Sequence, residues 1–326
     1  MAEPSNFVTR TISAARDLAA HDYFQSERFQ RVQSAAKIGL LVGVFAYLIW
    51  RLTDIGWGAV LTALPATPLF YLIFAVRYSV LPVTELIIYQ RLWSKKLSAH
   101  LPVFFRKRVF NMGVLDYSGE AYFLVWARQA LNLGDKEVFS AIRDSNILSA
   151  VSSNLLTILF LLIFVWMGLG DTLSASIENG WLYLIAAGFI AVFLTAIIVT
   201  FRRHLIGVPF SVASWLLGVH SGRMLAIMLL MGAQWASALP DVPWSVWWMF
   251  LTAHLVLNRL PLLPNKDLMF LGLSVGLTGY VEGPEAALAA VFVASSALTQ
   301  LAHLAVFSAT SSLGNGTNSR KDPENS

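Results

Sequence analysis

Apolar runs long enough to cross a hydrocarbon core as helix, roughly 20 residues each, recur along most of this chain and leave it few folds to choose from. Inside a bilayer the backbone must satisfy its own N–H and C=O groups, so a chain of this pattern forms an all-α, polytopic membrane helix bundle. The clear runs cover residues 37–52, 66–92, 145–169, 181–201, 222–239 and 285–310. Composition agrees: 56% of residues are hydrophobic, 13% are charged and the mean hydropathy is +0.63, outside the range of ordinary soluble domains.

Three regions follow: a polar leader at residues 1–36, an embedded domain at 37–310 and a polar tail at 311–326. Neither polar end is long enough to hold a core of its own, so any chemistry belongs to the embedded part. The leader lacks a small-residue cleavage site, and Phe7, Ile12, Leu18, Phe24 and Phe29 fit an interfacial helix or a solvated segment equally well. The chain has no cysteine, which removes disulfides, thiol nucleophiles and cysteine metal sites. His254 and His303 stand alone without metal-ligand spacing, and no cofactor motif is present. Lys and Arg gather at the ends of apolar runs, where they set topology, which argues against a nucleic-acid partner.

Two stretches, 101–133 and 244–280, are apolar but interrupted by charges, Gly or Pro. Each reads as two short helices meeting at a break, a re-entrant or discontinuous hairpin. The positive-inside rule orders them. With the leader in the cytoplasm, Arg91, Lys95, Lys96, Arg106, Lys107, Arg108, Lys136, Arg143, Arg202 and Arg203 all fall inside, while Asp171, Glu178, Asp241, Glu282 and Glu285 fall outside. The expectation is a multi-pass protein of the cell inner membrane with both termini cytoplasmic, about six full spans, and two hairpins opening to opposite faces. That opposition is the signature of an inverted repeat, which places a site where the tips meet. Eight ordinary spans are the rival count.

Charges within these segments carry the chemistry. In the first break, NMGVLDYSGEAYFLVWARQ, Ser118 reads as the N-cap of a short helix whose first turn holds Glu120, with Asp116 one turn earlier. Two acids there suit a bound cation or a shared proton, while the plainer reading pairs Glu120 with Arg128 or another base. In the second, AHLVLNRLPLLPNKDLMFLGLSVG, Pro261 and Pro264 stop the helix and Asn265 caps a new one. Arg259 and Lys266, with Asn258, flank freed backbone groups in a way that suits a phosphate; internal pairing with Asp267 is the competing view. Arg77 and Glu85 lie within an apolar span, on either side of Pro82, which frees a carbonyl.

At the two breaks the chain resembles the transmembrane region of the lysylphosphatidylglycerol synthase family and its stand-alone, flippase-like relatives. Gly119, Glu120 and Arg128 match the family's Gly-Glu pair followed by Arg, and LPLLPN at 260–265 takes the place of its Pro-Gly-Gly type break. Asn265 and Lys266 stand where the family prefers glycines, and Asp116 stands near an expected proline. The resemblance implies lipid binding or translocation, and gives no support to lipid aminoacylation.

The leading expectation is therefore a protein that binds a phosphate-bearing membrane lipid through Arg77, Arg259, Lys266 and Asn258 and moves it between leaflets, with Asp116, Glu120, Arg128, Glu85 and Asp267 gating or coupling. A non-transporting scaffold, acting on a second copy or another membrane protein, is the alternative. A remote one is an intramembrane aspartyl protease, prompted by GLGD at 168–171, for whose Asp171 only Asp116 offers a second aspartate.

Overall fold

The computed structural model describes residues 27–113, 118–171, 180–200, 205–259 and 265–318, and among them every regular element is helical. In chain order these are α1 (Glu27–Ile55), α2 (Trp57–Thr62), α3 (Pro68–Trp93), α4 (Leu101–Gly113), α5 (Ser118–Leu131), α6 (Asp135–Trp166), α7 (Gly180–Thr200), α8 (Phe210–Ala238), α9 (Trp244–Arg259), α10 (Lys266–Leu277) and α11 (Glu285–Asn318).

Five of them, α1, α3, α6, α8 and α11, are long and apolar enough to cross a membrane. Their apolar windows are between 11% (α1) and 56% (α6) buried, so much of the apolar surface faces outward. A water-soluble fold does not leave Ile38, Phe45, Ile49, Leu162, Phe189 and Leu304 exposed along its helices; hydrocarbon is the solvent that tolerates it. The integral membrane character is therefore carried by structure as well as composition. The apolar α7 covers 21 residues.

The two broken stretches fold as pairs of half-length helices. α4 and α5 have 13 and 14 residues, α9 and α10 have 16 and 12. At about 1.5 Å per residue these are about 18–24 Å long, short of a core about 30 Å thick. α4 and α5 run antiparallel, with Phe104 against Trp126 and Phe110 against Tyr122. α9 and α10 are tied by His254 against Phe270, and Asn265 caps α10 by accepting from the Leu268 N–H at 3.1 Å. Asp116, Pro261 and Pro264 lie outside the described residues.

The pairs approach α11 from opposite ends. Arg106 of α4 donates to the Thr310 carbonyl, near the far end of α11, whereas α10 leads into Thr278, whose hydroxyl reaches Glu285 at its start. α10 lies alongside α1, with Val44 against Gly272 and Tyr47 against Gly276, and a groove of about 490 Å³ opens beside them toward Gly39 and Gly43. Arg51 of α1 closes that end by pairing with Glu285 and with Asp54.

Three apolar cores form: a small one joins Leu48, Leu52, Val60, Leu268, Val275 and Ala289 where α1, α2, α10 and α11 meet, and the two larger ones are stacked. One gathers Phe70, Leu156, Phe160, Phe164, Met228, Trp235, Trp247 and Phe292; the other gathers Leu86, Tyr89, Trp93, Phe104, Phe123, Leu148 and Leu216. The same three long helices serve both. On α3 the cores are separated by the stretch holding Arg77 and Glu85, on α6 by Ser152, Ser153 and Asn154, and on α8 by His220 and Arg223. A polar belt thus crosses the middle of the bundle.

Candidate functional site

The belt begins at a buried lysine. Lys107, only 1% exposed, sits on α4 with its Nζ 2.8 Å from Glu85 Oε1 on α3 and 3.6 Å from Glu120 Oε1 on α5. The ammonium also lies over the Tyr89 and Phe123 rings, at 5.4 and 5.1 Å. Asn111 clamps the hairpin: its Nδ2 donates to Glu120 Oε1 at 3.1 Å, and its Oδ1 accepts from the Gly119 N–H at 2.7 Å. Position 119 has to be glycine, because a Cβ there would meet the Lys107 carbonyl oxygen at 2.2 Å. Ser118 donates across the hairpin to the Phe110 carbonyl at 2.7 Å.

Four arginines continue the belt, and each is held by neutral groups. Arg77 Nε donates to Gln234 Oε1 at 3.0 Å and its Nη1 lies 3.6 Å from Met231 Sδ. Arg108 donates to the Tyr78 carbonyl at 2.9 Å and stacks on the Tyr78 ring at 4.2 Å. Arg223 donates to Ser149 Oγ at 2.8 Å, and Arg259 to Asn154 Oδ1 at 3.2 Å. Among the described residues no carboxylate oxygen lies within 4.0 Å of any of the four. Arg223 is buried and Arg77, Arg108 and Arg259 are partly buried, so each guanidinium carries its charge with reduced solvation and no counter-ion in contact. With Lys107 the belt holds five cations against Glu85, Glu120 and Asp267. The buried Asp144 does not change this balance, since Arg143 and the Gly207 and Val208 amides occupy it.

Between α3, α8, α9, α10 and α11 lies a small cavity of about 40 Å³, lined on its polar side by Arg77, His254, Asp267, Ser295, Ser296 and Thr299. That is room for about one water molecule, whose share of liquid volume is about 30 Å³.

The described residues singled out in the sequence as binding or gating groups separate into four places. Arg77 and Asp267 share the cavity, and Glu85 and Glu120 share Lys107. Arg259 and Lys266 flank the second break without converging: Arg259 turns to Asn154 on α6, while Lys266 Nζ lies 3.5 Å from the Asn258 carbonyl on α9 and Asn258 Nδ2 donates back to the His254 carbonyl. Arg128 stands apart. It is 47% exposed and pairs with Asp135 at 2.6 Å at the foot of the first hairpin, away from Glu120. Asp171 is exposed and accepts from Trp181 at 3.2 Å. Lys107, Arg108 and Arg223 join the belt without having been singled out. The lysine and Arg108 lie in an RKR triplet whose charges read only as cytoplasmic topology signals, and Arg223 looks like the flank of a run starting at 222, whereas α8 begins at Phe210 and makes it a mid-helix residue.

No protein-family model, no curated protein and no solved structure matches the chain.

Proposed function

We propose that the protein binds a phosphate-bearing membrane lipid by its headgroup in the central belt and carries it between leaflets of the cell inner membrane. The observation that carries this reading is the set of four arginines, Arg223 buried and Arg77, Arg108 and Arg259 partly buried, with no carboxylate in contact among the described residues. A bundle that holds Arg77, Arg108, Arg223 and Arg259 on neutral acceptors is short of negative charge, and a phosphate supplies it together with pairs of oxygens that a planar guanidinium meets bidentately. In this reading six spans surround two hairpins of opposite orientation, an inverted pair, with Arg259, Lys266 and Asn258 at one tip. Glu85, Glu120 and Asp267 oppose or gate the anion, and both termini are cytoplasmic. The Gly119-Glu120 pair, packed onto α4, fits the resemblance to the lysylphosphatidylglycerol synthase transmembrane region.

Proteoliposomes carrying a headgroup-labelled phospholipid test it. Wild-type protein is expected to equilibrate the label between leaflets; Arg259→Ala with Lys266→Ala, and separately Arg77→Ala, are expected to slow this at least tenfold. A wild-type rate equal to that of protein-free vesicles or of these variants removes the proposal.

The smallness of the cavity favours a second reading, a scaffold that holds a second copy or another membrane protein. A scaffold retains no lipid class selectively, so lipid mass spectrometry of the purified wild type and of Arg77→Ala separates the two.

A further inference from the structure

Arg77 and Asp267 line the same cavity from α3 and α10, yet no oxygen of the carboxylate lies within 4.0 Å of the guanidinium. The remaining polar lining does not supply a counter-charge. Ser295 and Thr299 spend their hydroxyl hydrogens on helix carbonyls, Val291 O at 2.8 Å and Ser295 O at 2.9 Å, so they turn lone pairs toward the space. His254 Nδ1 has no hydrogen-bond partner. Arg77 is itself held at one edge by Gln234, a fully buried side chain whose own Nε2 is also without a partner. The cavity that Arg77 lines is therefore shared with hydroxyl acceptors and one carboxylate, and holds about one water.

We infer that Asp267 is an internal stand-in for the ligand's phosphate, a built-in competitor that balances Arg77 in the empty protein and must be displaced or screened when an anionic headgroup arrives. The inference rests on the anion-binding reading above. Three features favour this role over that of a permanent ion-pair partner. The two groups are not in contact, so separating them further breaks no direct hydrogen bond. Asp267 lies in the first turn of α10, two residues after the Asn265 cap, and so sits beside the second break rather than in the middle of a long span. Like charges placed in one site of low dielectric repel strongly, so a carboxylate here sets how tightly a phosphate can be held and how readily it leaves.

The test is titration of detergent-solubilised full-length protein with two short-chain probes, dihexanoyl phosphatidylglycerol, which is anionic, and dihexanoyl phosphatidylethanolamine, which carries an added ammonium. Asp267→Asn is expected to tighten the anionic probe roughly tenfold by removing the like charge, and Arg77→Gln to weaken it. Unchanged or weaker binding of the anionic probe by Asp267→Asn overturns the inference. So does a loss confined to the ethanolamine probe, which would make the carboxylate a ligand for the ammonium. Ligand-free stability gives a separate reading. Asp267→Asn is expected to lower the melting temperature and the Arg77→Gln/Asp267→Asn pair to recover it; independent, additive effects overturn the counter-ion role. If neither probe binds any form while the stability coupling is present, the anion-binding reading fails and the pairing of the two charges survives it.

Discussion

Arg108 donates at 2.9 Å to the carbonyl of Tyr78, the group that Pro82 leaves without its helical N–H four residues on. The proline opens an acceptor in α3 and the first hairpin fills it, so a helix defect and a partly buried cation satisfy one another. Arg108→Met is therefore expected to destabilise the protein by about 1–3 kcal/mol, the cost of an orphaned buried carbonyl. Adding Pro82→Ala should recover most of that loss by restoring the helical bond. Thermal unfolding in detergent of the two single variants and the pair measures the coupling; additive losses would count against it.

Lys107→Met removes the only cation in contact with Glu85 and Glu120 among the described residues. Breaking a buried ion pair from one side costs about 3–5 kcal/mol, and loss of folded protein on size-exclusion chromatography is the expected outcome. The triple change Lys107→Met, Glu85→Gln, Glu120→Gln should restore a monodisperse protein, because it removes the charges as a set.

Gly119→Ala and Gly276→Ala make a contrasting pair. At 119 the new methyl meets backbone, the Lys107 oxygen at 2.2 Å, which cannot move without dragging α4. At 276 it meets the Tyr47 hydroxyl at 2.3 Å, the far end of a side chain on the lipid-facing α1. Overpacking costs of about 1–3 kcal/mol or more are expected at 119, and little change in melting temperature at 276.

The absence of cysteine offers a clean background for mapping orientation. Single cysteines at Ser94, after α3, and at Glu282, before α11, are expected to react with a membrane-impermeant maleimide from opposite faces, with Ser94→Cys on the cytoplasmic side. Labelling of both from one face would reverse the reading of the second hairpin.

How much of this was legible depended on whether the signal was local. The long spans follow from local hydropathy, and the two broken elements from local interruptions, so helices appear where the runs and breaks are. Lengths were harder. α6 begins at Asp135 rather than near 145 because its first turns carry charges that hydropathy counts against a span, although Asp135 and Glu137 favour a helix start through the dipole. Partners were not legible at all. That Lys107 would lie between Glu85 and Glu120, or that Arg108 would find Tyr78, depends on which helices meet, and nothing in an RKR triplet separates a charge at the cytoplasmic face from one turned into the bundle. Conversely, Arg128 follows Glu120 by two turns on one helix, yet it leans away to Asp135.

The placement of α11 has a consequence for biogenesis. Arg106 finds its acceptor, the Thr310 carbonyl, 204 residues further along the chain, and α10 rests on the opposite end of the same helix. During synthesis the charged first hairpin therefore reaches the membrane long before the helix that completes its surroundings. Its lysine and arginines must be sheltered meanwhile by α3 or by the insertion machinery, and truncation before α11 should leave a chain that inserts its early spans but is recognised as unfinished by quality-control proteases.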